Sequence, residues 1–454
     1  MELQISVFVW GLGVKQQMEE SERAIRDKIK GLVIELYKAK HGKSEFRPGI
    51  DKLNYAGRIY DENEMVEAVD TLLDFTLTFG GKGLLFESRF AKINNSKFSI
   101  LTNSGSSANL LAVTSLKSRK IANPLKNGDK VITPAATFPT TLAPIIQNNL
   151  KPVFVDIEVG TYNVDEEALK QAVSHDIKAI VLPHALGNPN NMDLLMDLKR
   201  DYDLYLIEDT CDALGGTFDG RNVGTFGEFG TVSFYPAHHM TMGEGGAVLT
   251  QDELLAKIAK SVREWGRDCY CIPGKSNTCG KRYEWKLGKL PYGYDHKYIF
   301  SEIGYNLKVL DLQASIGLEQ IKKLPEFIRK RKENFAELYR HLKQYEDKLI
   351  LPKWHRKADP SWFAFPITLK DGCGFASNEI ISFLEGKKIE NRKFFAGNIL
   401  RQPGYIDIEN EIRGKLTNTD KTLNDTFFVG VYPGITKEKM DFMLQSFDEF
   451  FQSH

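Results

Sequence analysis

The chain has 454 residues, of which 42% are hydrophobic, and its 60 basic side chains balance its 60 acidic ones. A net charge of zero without a long basic run excludes the electrostatic footprint of a protein that binds nucleic acid or an anionic membrane. The length and composition are typical of a globular protein with two or three domains, whose partners are small molecules or other proteins.

The N-terminal segment predicts a helix followed by a loop. Its apolar stretch, Ile5–Val14, is much shorter than the ~20 residues that span a bilayer. The stretch also lacks a basic region and a small-residue cleavage site, so we expect no signal peptide. The helical pattern begins after Met18, and we therefore interpret residues 1–18 as a leader before the native start. The predicted N-terminal extension covers residues 1–60.

From Lys97 onward, strand-like and helix-like segments alternate. Longer helical patterns separate the apolar runs KFSIL, KVIT, KPVFV, AIVLP and YLIED. This alternation predicts βαβ units and a doubly wound, mostly parallel sheet in an α/β fold. We predict a large domain over residues 61–325, with an irregular loop at residues 268–299. A connector helix and a smaller α+β domain are predicted over residues 326–454.

Two segments of the large domain suit the binding of a ligand. Ser106 and Ser107 lie between a predicted strand and a predicted helix, where backbone amides and hydroxyl groups suit a phosphate. Small polar residues also cap many helices, so this segment alone leaves both interpretations open. Asp209 ends a buried strand, at the edge where open α/β sheets bind ligands. A carboxylate there can pair with a protonated pyridine nitrogen.

Five segments occur in an order and spacing typical of one family: NSGSSAN, ATFPTT, IEDTCDALGG, SFYPAHHMTMGEGG and EIGYNLKVLDLQASIGLEQ. The chain resembles the DegT/DnrJ/EryC1/StrS sugar aminotransferases, which are fold type I enzymes that depend on pyridoxal phosphate (PLP). The resemblance implies a large domain whose sheet is sandwiched by helices. It also implies that Phe138 covers the cofactor ring and Ser233 contacts its phosphate. Asn306 would reach the phosphate of a neighbouring subunit, which implies a homodimer with a shared active site.

Three further residues are candidates for substrate binding. His184 and Asn188 occupy the segment that resembles the substrate-side loop of the family. In the C-terminal domain, the run NRKFFAGNILR combines basic and aromatic side chains, which suit the diphosphate and the base of a nucleotide sugar. We select Arg401 from this run as a substrate contact, although a solvated surface arginine explains the sequence equally well.

The main departure from the family is His238, which occupies the position of the lysine that carries the cofactor as a Schiff base. An imidazole cannot form that link and can do only acid or base work. We therefore expect non-covalent pyridoxamine phosphate (PMP), which can condense with the C4 ketone of a nucleotide-linked 4-keto-6-deoxy sugar. His238 would then remove a proton, and the hydroxyl at C3 would leave. A chain that has lost catalysis and serves as a scaffold is the alternative.

A smaller departure is Asp212, which stands where the family usually has glutamine. It concerns only the details of cofactor and substrate contacts.

The cysteines form the second unusual pattern. An odd number of them, without an export signal, favours a reducing cytoplasm. Four follow the pattern C-x57-C-x-C-x7-C, which matches neither the ferredoxin spacings nor paired CxxC zinc motifs. The residues themselves leave zinc, an iron–sulfur cluster and no metal open. Cys211 follows Asp209 by two residues, a span of roughly 7 Å, so a redox centre that includes this thiolate would lie beside the cofactor.

Together with His238, the cysteine pattern resembles one branch of the family. That branch removes the C3 hydroxyl of CDP-4-keto-6-deoxy-D-glucose in the biosynthesis of 3,6-dideoxyhexoses for O-antigens. The resemblance implies a 2Fe–2S cluster, and its four ligands would be Cys211, Cys269, Cys271 and Cys279. It also implies an NADH-dependent flavin iron–sulfur reductase as the partner that supplies electrons. Cys373 is left as an ordinary thiol.

Two other functions remain open at this stage. One is a cluster-free GDP-4-keto-6-deoxy-mannose 3-dehydratase, which would also carry histidine in place of lysine but would not need four thiols. The other is a non-catalytic, zinc-stabilised scaffold that binds PLP.

Overall fold

The structure is a computed structural model that describes residues 2–42, 45–272 and 275–454, with side chains from residue 20 onward. The α-helices of these residues are α1 Glu2–Lys40, α2 Glu62–Leu73, α3 Gly81–Ile93, α4 Gly105–Ser115, α5 Pro139–Gln147, α6 Glu166–Ala172, α7 Met192–Tyr202, α8 Glu253–Arg263, α9 Asp311–Leu342, α10 Ser377–Gly386, α11 Thr417–Asp425 and α12 Lys437–Gln452. The strands are β1 Phe98–Thr102, β2 Lys130–Pro134, β3 Lys151–Val155, β4 Ile177–Pro183, β5 Tyr205–Asp209, β6 Thr217–Phe218, β7 Arg221–Asn222, β8 Phe229–Ser233, β9 Gly246–Thr250, β10 Leu349–Ile350, β11 Ala358–Asp359, β12 Ala364–Leu369, β13 Asn391–Lys393, β14 Glu411–Ile412 and β15 Thr426–Gly430.

The first helix is longer than the sequence pattern indicated. Helix α1 begins at Glu2 rather than after Met18, because the intervening residues contain no proline and helical hydrogen bonds can continue through them. Its later part packs on α2, where Arg26 and Lys30 contact the carboxylate of Asp70. Residue 1 and the side chains of residues 2–19 lie outside what the structure describes. The interpretation of residues 1–18 as a leader therefore stays a prediction.

The large sheet has eight strands in the order β1-β9-β8-β5-β4-β2-β3-β14. Strands β8, β5, β4, β2, β3 and β14 pair in parallel, whereas β9 is antiparallel to both of its neighbours, β1 and β8. The predicted mostly parallel sheet between helices is therefore confirmed. Alternate side chains of β4 enter different cores: Ala179 and Val181 pack beneath α4 and α5, whereas Ile180 and Leu182 pack beneath α6 and α7. A strand buried on both faces explains the continuous apolar run.

A second, antiparallel sheet with the order β10-β12-β15-β13 forms the C-terminal α+β part. Helices α10 and α12 cover it, and its core includes Phe365, Phe427 and Phe447, which are fully buried. The long helix α9 connects this part to the large sheet and passes through the predicted boundary at residues 325 and 326. Strand β14 returns to the large sheet beside β3. The domain boundaries stay a prediction.

The carboxyl ends of β5 and β8 meet at one edge of the large sheet, because these strands are parallel and Asp209 pairs with Thr231. Ligands of open α/β sheets bind at this edge. Across the part of the chain that the structure describes, no helix combines the length and the apolar character needed to cross a membrane.

Candidate active site

The start of helix α4 lies directly on the strand ends. A Cβ atom added to Gly105 would lie 2.5 Å from Cβ of Ser233, and one added to Gly246 would lie 2.3 Å from the carbonyl oxygen of Ser104. Any side chain at these two glycines would therefore push the helix away from the sheet. The glycines bring the N-terminus of α4 against the carboxyl end of β8.

This helix start can hold an anion. Ser104 caps α4, and its hydroxyl accepts a hydrogen bond from the backbone N–H of Ser107 at 3.0 Å. The first amides of a helix have no partners inside the helix and carry partial positive charge, which suits a phosphate. Gly105, Ser106 and Ser233 line the adjacent cavity. The cap and the anion site are thus compatible, although Ser107 faces Ser104 rather than the cavity.

Asp209 presents a buried carboxylate at the end of β5. Its Oδ2 accepts hydrogen bonds from Asn109 Nδ2 at 2.8 Å and from Thr141 Oγ1 at 2.7 Å. Its Oδ1 accepts one from the backbone N–H of Cys211 at 3.1 Å. Three donors therefore fix the position of this carboxylate, which is only 6% exposed. This carboxylate suits a protonated ring nitrogen. The sequence did not indicate that Thr141 and Asn109 would contact Asp209.

The cavity in front of these groups has a volume of about 500 Å³. Phe138 is half exposed at its wall and lies 6.4 Å from Phe395, measured between ring centroids. The cavity collects residues from both sheets, and its polar and charged lining includes Ser104, Ser106, Thr140, Thr141, His184, Asp209, Cys211, Asp212, Ser233, Tyr235, His238, Glu244, Arg392 and Lys393. An aromatic wall, a carboxylate and a helix start together fit a pyridoxal-type cofactor.

His238 lies at the same cavity, on the turn that follows β8. Its backbone carbonyl accepts a hydrogen bond from the buried Arg331 at 3.1 Å, and its ring packs against Phe363 at 5.4 Å between centroids. Oδ1 of Asp212 lies 3.3 Å from its Nδ1. The adjacent His239 is buried and points away, with Nε2 donating to the carbonyl of Ser361 at 2.9 Å. Of the two histidines, His238 is therefore the one that can act on a bound molecule.

The residues predicted to bind the substrate differ in their position relative to the cavity. His184 lines the cavity, but its ring is fully buried, with Nε2 3.2 Å from Glu208 and Nδ1 accepting from the backbone N–H of Asn190. Asn188 does not line the cavity, because its amide donates to the carbonyls of Thr161 and Lys353. Hydrogen bonds within the chain occupy both side chains, and their contact with a substrate stays a prediction.

Arg401 also lies away from the cavity, in an ion pair of 2.6 Å with Asp420 on α11. The basic residues that do reach the cavity are Arg392 and Lys393, which belong to the same sequence run. The guanidinium of Arg392 stacks over the ring of Tyr55 at 4.7 Å. The pairing of β13 with β15 places Arg392 at the cavity. The local sequence does not indicate that Arg392, rather than Arg401, reaches it.

Asn306 is exposed and does not line the cavity of its own chain. It pairs with Glu264 in an isolated bridge beside α8. Its predicted contact with a neighbouring subunit therefore stays a prediction.

The four cysteines predicted as ligands lie in two places in this chain, and the four-cysteine ligand set stays a prediction. Cys211 lines the cofactor cavity, where burial and then the charge of Asp209 raise the pKa of its thiol well above the ordinary value. The other three, Cys269, Cys271 and Cys279, lie in the loop beside α8. The reason is that β5 fixes Cys211 at the sheet edge, whereas the loop packs along the outer side of α8. Cys373 donates to the carbonyl of Phe375 in the C-terminal part.

Known proteins resemble the chain over nearly its whole length. Residues 59–448 match the DegT/DnrJ/EryC1/StrS aminotransferase family. The chain is 47% identical to the lipopolysaccharide biosynthesis protein RfbH of Salmonella typhimurium, over 94% of this chain and 98% of that protein. It is also 47% identical to dTDP-4-dehydro-2,6-dideoxy-D-glucose 3-dehydratase of Saccharopolyspora spinosa, over 89% of this chain and 88% of that enzyme.

A solved structure has the same architecture. The E. coli GDP-4-keto-6-deoxy-D-mannose-3-dehydratase with bound hydrated PLP is 30% identical and superposes with a TM-score of 0.78, over 87% of this chain and all of that one. Sequence, cavity and fold agree, and the chain belongs to the DegT/DnrJ/EryC1/StrS aminotransferase family.

Proposed function

We propose that this chain is a PMP-dependent lyase that removes the C3 hydroxyl of a nucleotide-linked 4-keto-6-deoxy sugar. The observation that carries the proposal is His238. It stands at a cavity with a helix start, a buried carboxylate and an aromatic wall, yet an imidazole cannot hold the cofactor covalently. The 3-dehydratases among the relatives support this reaction type.

The cofactor would be held by four groups of this chain. The amides at the start of α4 and the hydroxyl of Ser233 would bind its phosphate, Asp209 would pair with its ring nitrogen, and Phe138 would cover the ring. When bound, PMP supplies an amine that condenses with a ketone and a ring that accepts electrons.

His238 would move the proton of the elimination. Asp212 lies on the Nδ1 side of the ring, so we assign Nε2 as the atom that would accept a proton from the bound molecule. Removal of that proton would leave an electron pair that expels the hydroxyl group at C3. Tyr235 and Phe363 flank the imidazole and limit its contact with water.

The substrate we propose is CDP-4-keto-6-deoxy-D-glucose, on the route to the 3,6-dideoxyhexoses of O-antigens. The likeness to a lipopolysaccharide biosynthesis protein supports this route. Arg392 and Tyr55 are at the cavity wall and suit a diphosphate and a base. The relatives that act on dTDP- and GDP-linked sugars make those nucleotides the competitors to test.

Replacement of the C3 hydroxyl by hydrogen consumes two electrons and two protons and releases one molecule of water. We propose that a 2Fe–2S cluster on the loop cysteines delivers the electrons and that an NADH-dependent flavin iron–sulfur reductase supplies them. The close approach of Cys271 and Cys279, with 3.5 Å between their sulfur atoms, supports a metal centre in this loop. A cluster-free dehydratase of a GDP-linked sugar is the second candidate, which the likeness to the E. coli enzyme favours.

The test is turnover of CDP-, dTDP- and GDP-linked 4-keto-6-deoxy sugars by the PMP-loaded protein. Mass spectrometry would follow the loss of the C3 oxygen, with and without a chemical reductant. Preference for the CDP sugar and dependence on the reductant are expected. Oxygen loss from the GDP sugar alone, without any reductant, would replace the proposal by the second candidate.

A further inference from the structure

One face of helix α1 carries a row of large apolar side chains that the rest of the described chain leaves largely uncovered. This row, the apolar stripe of α1, consists of Ile25, Ile29, Leu32 and Leu36. Ile29 is partly buried, whereas Ile25, Leu32 and Leu36 are 55%, 63% and 59% exposed. Single exposed aliphatic side chains are ordinary, but a contiguous row of them marks an interaction surface.

The neighbouring face of the same helix is already occupied. Arg26 and Lys30 pair with Asp70 of α2, and the hydroxyl of Tyr37 donates to the carbonyl of Tyr60 at 3.0 Å. Arg26, Lys30 and Tyr37 each follow a member of the stripe by one position, so they lie about 100° further round the helix. Helix α2 therefore fixes α1 in place and leaves the stripe beside it open to a partner.

The spacing of the stripe fits another helix. Its members are separated by four, three and four positions, which is the a/d spacing of a coiled coil. From Ile25 to Leu36 the helix rises roughly 16 Å, or about three turns. Side chains with this spacing pack as knobs into the holes of a facing helix. The partner that fits the stripe is therefore a helix with a similar apolar row.

The charges of α1 favour a second, antiparallel copy of the same helix as that partner. Glu20 and Glu22 stand at the beginning of the part of α1 whose side chains are described, and Lys38 and Lys40 stand at its end. An antiparallel partner brings the acidic end of one helix to the basic end of the other, whereas a parallel partner brings like charges together. Antiparallel helices also oppose their dipoles.

A second pair of charges flanks the stripe. Lys28 and Glu35 are exposed, and each precedes a member of the stripe by one position. They therefore lie on the flank opposite the one that α2 covers. When Ile29 of one copy packs beside Leu32 of the other in an antiparallel pair, Lys28 of each copy approaches Glu35 of the other. Two symmetric ion pairs then border the apolar contact.

We propose that two copies of this chain associate through the apolar stripe of α1, with the helices antiparallel and Lys28 of each copy paired with Glu35 of the other. The inference goes beyond the proposed function, because α1 precedes the family match at residues 59–448 and does not line the cofactor cavity. The stripe is short compared with interfaces that bury roughly 1,200 Å² or more. We therefore expect a reversible association with a Kd in the micromolar range, added to any contact made at the cofactor site.

Sedimentation equilibrium of the full-length, PMP-bound protein measures this association between about 1 and about 100 μM. We expect Leu32→Asp to raise the Kd at least about a hundredfold, because each pair of helices would then bury two carboxylates in place of two leucines. Ile406→Asp is the matched control, since Ile406 is also an aliphatic residue, 59% exposed, and lies in the C-terminal part. It should keep the wild-type Kd. Circular dichroism and retention of PMP show that each variant is folded.

Charge reversal tests the register. Lys28→Glu or Glu35→Lys alone should raise the Kd about tenfold, because two attractive pairs become repulsive. The double variant should return to within about threefold of the wild type, since the pairs are restored with their signs exchanged. A double variant that associates no better than the single variants would overturn the pairing of Lys28 with Glu35.

A photo-crosslinking amino acid at position 36 reports the orientation. It should crosslink to residues around Ile25 of the second copy, which mass spectrometry identifies. Within one helix, positions 25 and 36 are roughly 16 Å apart, beyond the reach of the crosslinker. Crosslinks centred on Leu36 would show a parallel pair and overturn the arrangement. If another protein covered the stripe, the purified wild type and Leu32→Asp would have equal masses at every concentration, and the second copy would be overturned as the occupant.

Discussion

His238 Nδ1 lies 3.3 Å from Asp212 Oδ1 at the inner wall of the cofactor cavity. The two side chains are only 18% and 11% exposed, so water screens their interaction weakly. In the described residues, Nδ1 has no partner with hydrogen-bond geometry, and the pair interacts through charge and proximity. The carboxylate lies on the Nδ1 side of the ring, so we assign Nε2 as the nitrogen that acts as the base. Asp212 is thus a positioning residue for His238.

Replacement of Asp212 by asparagine tests this role. We expect Asp212→Asn to lower kcat for the elimination by about ten- to a hundredfold, since a misoriented base forfeits part of its contribution. KM and the amount of bound PMP should change little. Asp219→Asn is the matched control, because Asp219 is 71% exposed and lies on the β6–β7 turn. Equal kcat values for the two variants would remove Asp212 from the mechanism.

His238→Lys should restore a covalent link. A lysine at this position can form a Schiff base with PLP, so the absorption band of that link should appear and should persist after gel filtration. Loss of the C3 hydroxyl should stop. His238→Asn is the comparison: it should abolish the elimination without any covalent band. Unchanged elimination in either variant would show that another residue is the base.

Mixed dimers test the predicted shared site. If Asn306 completes the site of a neighbouring subunit, His238→Asn and Asn306→Ala chains are each inactive alone but regenerate one intact site in a hybrid dimer. Random pairing of equal amounts should restore about a quarter of the wild-type activity. Sedimentation would verify that dimers form. If hybrid dimers form and remain inactive, Asn306 acts within its own chain.

Acid should destabilise the protein through His239. Burial and then the charge of Arg331 hold the pKa of His239 well below its ordinary value of 6.5. As pH falls below that value, the unfolded chain binds a proton at this residue and the folded chain does not. The free energy of unfolding should therefore fall, by up to about 1.4 kcal/mol per pH unit from this residue.

Urea unfolding at about pH 7.5 and about pH 5.5 measures the effect. His239→Gln keeps a donor for the carbonyl of Ser361 but does not titrate, so its stability should depend less on pH than that of the wild type. An identical pH dependence for both proteins would assign the acid sensitivity to other groups.

Much of the fold and half of the site could be predicted because their signals are local. The apolar runs of β2 to β5 and their intervening helices predicted the parallel sheet. Asp209 ends β5, one of these strands, whereas Ser233 and His238, at the end of β8 and on the turn after it, were indicated by the resemblance of their segment to the family. Ser106 followed from the turn between β1 and α4.

The substrate contacts could not be predicted in this way. Arg392 and Arg401 belong to one sequence run, and only the pairing of β13 with β15 turns the first toward the cavity and leaves the second on the surface. The position of His296 beside the loop cysteines could not be predicted for a related reason, because it stands 17 positions after Cys279 in an irregular loop.

By itself, the sequence determined the type of sheet and the cofactor class, because these depend on residue type and on order along the chain, and it supplied the prediction that His238 is the base. The tertiary structure alone decided which side chains share a site. Strand β5 holds Cys211 at the cofactor cavity, while the loop beside α8 gathers Cys269, Cys271 and Cys279 around His296. Sequence spacing does not specify the path of an irregular loop, since that path is set by packing against distant elements.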